Sequence, residues 1–127
     1  MNFPFKGRHL LVTFYDCSLS ALLDVETLQK QLEFSAKCAG ANQLDLAIHP
    51  FPNGGYTSVL LLSESHVSIH TYPEHRSCFM DFFTCGENAD GSLFFKLMHD
   101  YLKPEKVDQM TIQRGSGSFP FEGALDF

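Results

Sequence analysis

At 127 residues the chain has room for one domain and not for two ordinary ones. A composition that is 44% hydrophobic and 19% charged is globular rather than disordered. The formal charge of −6, with no basic cluster, excludes nucleic-acid binding, which needs a cationic face to displace counterions. With 13 Phe and no Trp, the aromatic surface available to a core or a ligand is mostly phenylalanine. The longest aliphatic run, residues 59–62, is far short of a membrane span, and the opening residues 1–8 lack the apolar stretch of a secretory signal. A cytoplasmic setting is expected, with Cys17, Cys38, Cys78 and Cys85 as thiols. No Cys-x-x-Cys pair is present, so no metal is assigned.

In chain order, Leu10 to Tyr15 reads as an apolar strand closed by Asp16. From Ser18 to Ala39, Leu22, Val25, Leu28, Leu32 and Ala36 recur at helical spacing, and Gly40 supplies a stop. Leu44 to Phe51 and Tyr56 to Leu62 read as a hairpin around Pro52-Asn53-Gly54-Gly55. His66 to Tyr72 alternates, with Val67, Ile69 and Thr71 on one face and His66, Ser68, His70 and Tyr72 on the other; Pro73 ends it. Cys78 to Thr84 is a further strand, and Glu87 to Gly91 a polar loop. Ser92 is expected to cap a helix with Phe94, Leu97, Met98 and Tyr101 as its stripe and Pro104 beyond its end. Val107 to Ile112 is a last strand, and Gly115 to Phe127 an irregular tail.

Strands that mostly follow one another directly predict a single α+β domain over residues 1–127, an antiparallel sheet backed by two helices. The sheet face carrying His66, Ser68, His70 and Tyr72 must meet water or pack on something. Phe-rich neighbouring strands favour packing, which predicts a homodimer pairing sheet to sheet.

The chemistry is concentrated in Leu-Ser-Glu-Ser-His-Val-Ser-Ile-His-Thr-Tyr-Pro, residues 62–73, followed by Phe83-Thr84-Cys85-Gly86. A serine hydroxyl can attack the carbonyl before it and turn an amide into an ester. Elimination then leaves dehydroalanine, which hydrolyses to a pyruvoyl group with loss of ammonia. The step needs an oxyanion stabiliser and a base for the α-proton. Ser-Glu-Ser-His, His-Thr-aromatic-Pro-Glu and Phe-Thr-Cys-Gly, in this order and spacing, resemble the bacterial and archaeal S-adenosylmethionine decarboxylase family. Gly7-Arg8-His9-Leu10 and Phe14-Tyr15-Asp16-Cys17 resemble its opening, so the likeness covers about the first three-quarters of the chain.

The resemblance implies self-cleavage between Glu64 and Ser65 into chains 1–64 and 65–127, with Ser65 becoming a pyruvoyl cofactor that forms a Schiff base with the substrate amine. It implies Thr57 as the hydroxyl helper in processing, His70 as the proton acceptor and Cys85 as the proton donor in decarboxylation. Phe51 and Tyr72 would stack on adenine and suit a sulfonium cation, and Glu74 would bind the ribose hydroxyls. The implied product is decarboxylated S-adenosylmethionine for spermidine and other polyamines.

Taken singly, these residues have commoner readings. Ser65 is an ordinary turn serine, Cys85 a small buried hydrophobe, Phe51 and Tyr72 core, and Glu74 a solvated acid. His66 and His70 share a strand face as metal ligands would, although satisfied interface histidines are more frequent. A Ser-His hydrolase is disfavoured, because Gly-x-Ser-x-Gly is missing. Strict alternation also puts Ser65 and His70 on opposite faces of a continuous strand, so they meet only if a turn or bulge intervenes, with the break expected at Glu64-Ser65.

Departures from the family pattern keep the substrate open. Thr13 stands where relatives carry an acid, Thr57 replaces serine, and Arg76 and Phe79 add charge and bulk near the expected pocket. Arginine or ornithine as substrate is the alternative, and a non-catalytic regulatory paralogue is a third reading, disfavoured because Ser65, His70 and Cys85 are all present.

Overall fold

In the computed structural model, which describes residues 5–85, 89–115 and 117, Gly7–Tyr15 forms the first strand, β1. Its Leu10, Val12 and Phe14 alternate into the interior while Leu11 stays exposed, the period-two pattern of a sheet with one covered face. Two helices follow, α1 (Leu19–Leu23) and α2 (Val25–Cys38), where the sequence predicts one. The break is at Asp24, whose carboxylate accepts from the Thr27 N–H at 3.2 Å and so caps α2. Apolar spacing runs through Asp24 without a slip, but a short acid that can satisfy a free helical N–H favours a new start. Gly40, with φ 93°, stops the helix as expected.

β2 (Gln43–Pro50) and β3 (Tyr56–Leu62) form the expected hairpin. Its turn is held by Asn53, whose side chain accepts from the Gly55 N–H at 2.9 Å, and by Gly54 at φ 92°. Ser63 and Glu64 make a two-residue turn, and β4 runs from Ser65 to Tyr72. A 3-10 turn at Pro73–His75 leads into β5 (Ser77–Thr84). The last helix, α3 (Gly91–Leu102), is capped by Asp90, not Ser92: the Asp90 carboxylate accepts from the Leu93 N–H at 3.2 Å. Its buried stripe is Phe94, Met98 and Leu102, with Leu97 and Tyr101 only partly covered. β6 (Lys106–Arg114) closes the sheet, and the tail from 118 onward lies outside the described residues.

All six strands pair antiparallel in the order β2-β3-β4-β5-β1-β6. Helices cover one face. Leu22, Leu28, Leu32, Phe94 and Met98 pack there with Phe14, Tyr56, Leu60, Ile69 and Phe82 into one core, each such side chain contributing about 1.5–3 kcal/mol of burial. Among the described residues nothing covers the opposite, bare face. Val59 (38% exposed), Leu61 (51%), Phe79 (49%) and Met110 (54%) stand on it, apolar side chains that a solitary sheet would expose to water. This is the two-layer α+β architecture expected from the sequence, with the His66, Ser68, His70 and Tyr72 face uncovered.

Candidate active site

The bond between Glu64 and Ser65 lies where a tight turn meets the first residue of β4. Leu62 pairs with Ser65 across the hairpin, so only Ser63 and Glu64 make the reversal. Glu64 is forced to φ 54°, in the left-handed region that a side chain with a Cβ enters at a cost of about 1–2 kcal/mol. The residue before Ser65 is therefore strained while the serine itself begins a regular strand. The Ser65 hydroxyl is half-buried and donates to the Ser63 carbonyl at 3.2 Å.

Cys85 sits just past the end of β5. His66 pairs with Phe83 on the neighbouring strand, so Glu64 and Cys85 flank the same end of the sheet. Burial, followed by the negative charge of Glu64, pushes the Cys85 thiol above its ordinary pKa, with Arg114 pulling the other way. Burial and the Glu64 charge both favour the protonated thiol. Gly86, which follows it in the motif, lies outside the described residues.

At the other end of β4 a second group gathers. Thr57 and His70 are direct partners across β3 and β4, and Thr57 Oγ1 lies 3.0 Å from His70 Nδ1. Glu74 accepts from the Asn53 side chain at 3.0 Å, which ties the 3-10 turn to the β2–β3 turn beside Phe51. Phe51 and Tyr72 are both partly exposed. Phe51 meets His49 edge-on at 4.9 Å, and Tyr72 meets Phe79 at 5.2 Å. Neither aromatic is core, contrary to the commoner reading of such residues taken singly.

The expected meeting of Ser65 with His70 does not occur within one chain. The break comes before Ser65, at Ser63-Glu64, and β4 is regularly paired from Ser65 to Tyr72. Five residue steps separate the two by roughly 16 Å along the strand. The candidate residues fall into two groups at opposite ends of β4: Glu64, Ser65 and Cys85 at one, and Thr57, His70, Phe51, Tyr72 and Glu74 at the other.

A groove of about 470 Å³ on the bare face is lined by Thr13, Ser68, His70, Phe79, Asp81 and Asp108, among others. Thr13 pairs directly with Asp108 on β6, so a carboxylate stands one strand away from the position where an acid was expected. Sequence pattern alone gives no signal for Asp108, because it depends on the β1–β6 register. Arg76 does not reach this groove. Its carbonyl accepts from the Cys17 N–H at 2.7 Å, and it lines a separate recess with Asp16, Lys103 and Glu105.

His66 and His70 also part company. His66 turns to Asp81 at 3.1 Å while His70 turns to Thr57, so the pair does not converge on one ligand.

Comparison with known proteins gives one consistent result. Residues 8–115 match the family model described as S-adenosylmethionine decarboxylase. An S-adenosylmethionine decarboxylase proenzyme of Methanococcus maripaludis is 41% identical over 109 residues, covering 86% of this chain and 89% of that protein. The corresponding proenzyme of Brevibacillus brevis is 38% identical over 117 residues, covering 92% and 88%. The crystal structure of the adenosylmethionine decarboxylase of Aquifex aeolicus superposes with a TM-score of 0.80 at 28% identity, covering 93% of this chain and 97% of that one.

Proposed function

The chain belongs to the S-adenosylmethionine decarboxylase family, and from that premise we propose that it cuts itself between Glu64 and Ser65 and then decarboxylates S-adenosylmethionine, the reaction that supplies aminopropyl groups for polyamines. The observation that carries this is the Glu64–Ser65 junction: a strained left-handed residue, immediately followed by a half-buried serine, at the end of the sheet that also holds the Cys85 thiol.

In processing, Ser65 Oγ leaves the Ser63 carbonyl and attacks the Glu64 carbonyl carbon. The peptide C–N bond breaks as the ester C–O bond forms, and the Ser65 nitrogen takes up a proton. Thr57 donates to the developing oxyanion, and His70 removes the Ser65 α-proton as the ester is eliminated. Glu64 departs with a free carboxylate. Dehydroalanine at 65 takes up water and loses ammonia, which leaves a pyruvoyl group at the head of chain 65–127. That group supplies an electron sink for loss of carbon dioxide from an α-amino acid. Cys85 returns a proton to the substrate carbon, Phe51 and Tyr72 hold the adenine, and Glu74 holds the ribose.

Thr57 on β3 and its partner His70 on β4 lie too far from the start of β4 to serve the Ser65 of their own chain. A homodimer packed bare face to bare face removes the distance along the strand, and Ser65, which alternates with the buried Val67 and Ile69, has then to turn toward the bare face at the very start of β4. A two-fold axis near the middle of β4 lays the His70 end of one copy over the Ser65 end of the other and repeats the contact at the second site. The same packing removes Val59, Leu61, Phe79 and Met110 from water. Among the described residues no helix is long and apolar enough to cross a membrane.

The deciding experiment is carbon dioxide release from carboxyl-labelled S-adenosylmethionine by the purified, cleaved protein, with Ser65→Ala as the uncleaved control. Arginine and ornithine belong in the same assay, because the Asp108 carboxylate in the groove suits a cationic substrate. Release from arginine or ornithine alone would reassign the substrate, and an uncleaved, inert wild-type chain would point to a regulatory paralogue.

A further inference from the structure

His9, His66 and Asp81 come from three adjacent strands. On β5, Phe83 pairs with His9 of β1 on one side and with His66 of β4 on the other, so the two histidines share one row of the bare face. Asp81 lies two residues back on the same face. Both imidazoles turn Nε2 toward a single carboxylate oxygen: His9 Nε2 is 2.6 Å and His66 Nε2 3.1 Å from Asp81 Oδ2. The other oxygen, Oδ1, accepts from the Ser68 hydroxyl. The Phe83 ring packs against both imidazoles at 5.4 and 5.8 Å, which limits their rotation.

We propose that His9, His66 and Asp81 form a binding site for a divalent transition-metal ion. Among the described residues they are a group of three ligating side chains whose donor atoms all lie within 4.8 Å of one another. Tetrahedral zinc, at about 2.0–2.1 Å from each ligand, sets its ligand atoms roughly 3.3 Å apart. Asp81 Oδ2, at 2.6 and 3.1 Å from the two imidazole nitrogens, has to retreat by less than an ångström to reach that spacing. Two imidazoles with one carboxylate select zinc, cobalt or nickel over magnesium or calcium, which prefer all-oxygen shells. Ser68 is the outer partner that orients the carboxylate. In the single chain the three side chains are 19%, 38% and 18% exposed, and the bare-face packing proposed above would enclose them with the ion.

The site has a consequence that rests on the cleavage proposed above. His9 belongs to the stretch 1–64, whereas His66 and Asp81 belong to 65–127, and His66 directly follows the residue that becomes the new chain start. A bound ion therefore staples the two product chains together one residue from the cut.

The test is titration of chelator-treated protein with Co²⁺, followed by visible absorption and by displacement with Zn²⁺. Wild type and uncleaved Ser65→Ala are expected to bind one ion per chain alike, which separates this site from the processing reaction. His9→Ala and Asp81→Ala are expected to abolish the signal, and Ser68→Ala to weaken binding roughly 10- to 100-fold. Imidazole resonances of wild type provide a measurement that needs no variant: His9 and His66 should shift on Zn²⁺ addition, while His75 should not. Co²⁺ binding that survives His9→Ala and Asp81→Ala, or unmoved His9 and His66 resonances, would mean an adventitious ion only and would overturn the proposal.

Discussion

Thr57 Oγ1 and His70 Nδ1 are hydrogen-bonded at 3.0 Å across directly paired positions of β3 and β4. The bond orients the imidazole and couples a hydroxyl to a base on the bare face of the sheet. Thr57→Val keeps the shape, removes the hydroxyl and leaves Nδ1 without its partner. Self-cleavage is expected to slow about 100-fold, the scale of a lost oxyanion donor or general base, while Thr57→Ser should cleave normally. A time course of intact mass on newly made protein gives the rate. Normal cleavage in Thr57→Val would remove Thr57 from the processing machinery.

Glu64 stores strain beside the bond proposed for cleavage. At φ 54° glycine is the unstrained residue. In a Ser65→Ala background, Glu64→Gly is expected to raise stability by about 0.5–1 kcal/mol, the left-handed cost less the extra backbone entropy of glycine. Denaturant unfolding measures it. With Ser65 intact, losing that strain should slow cleavage about two- to fivefold. A destabilised Glu64→Gly protein would show that the Glu64 side chain, not its backbone, matters at the turn.

Periodicity was enough to read every strand and the bare face, because alternation follows directly from the strand pleat: Val67, Ile69 and Thr71 are buried and His70 and Tyr72 are not. It missed the Asp24 break and the Asp90 cap, which depend on one side-chain oxygen finding one N–H rather than on a repeating pattern. For the site, motif order names candidate residues but not their grouping. That grouping follows from strand register, which pairs His70 with Thr57 and leaves Ser65 at the far end of β4. Register likewise sets Asp108 opposite Thr13 and gathers His9, His66 and Asp81, three residues from separate stretches of sequence.

Cys85 makes a prediction about pH. Its thiol is raised by burial and then by the Glu64 charge, and cleavage adds a second carboxylate at Glu64 that pushes the same way. An acid with a raised pKa keeps its proton to higher pH. Decarboxylation that needs the thiol is therefore expected to hold through pH values near the ordinary thiol pKa of about 8.5 and to fall only above it. Cys85→Ala should still cleave but decarboxylate poorly, and its residual activity should lack that alkaline fall. A pH profile of turnover on both proteins decides it; full activity in Cys85→Ala would remove the thiol from proton donation.

The division of the site between the two ends of β4 can be tested by mixing defects. Ser65→Ala retains His70, and His70→Ala retains Ser65, so neither chain should cleave alone. If a second copy's His70 serves Ser65, co-expression of differently tagged variants restores one whole site per mixed dimer. The His70→Ala chain is then cut by its partner. With random pairing of a two-fold dimer, roughly half of the His70→Ala chains should be cleaved, and none of the Ser65→Ala chains. Mass spectrometry of the separated tags reads both fractions. No cleavage in the mixture, with mixed dimers present, would mean that Ser65 and His70 act within one chain, which requires β4 to break from its regular pairing between residues 65 and 70.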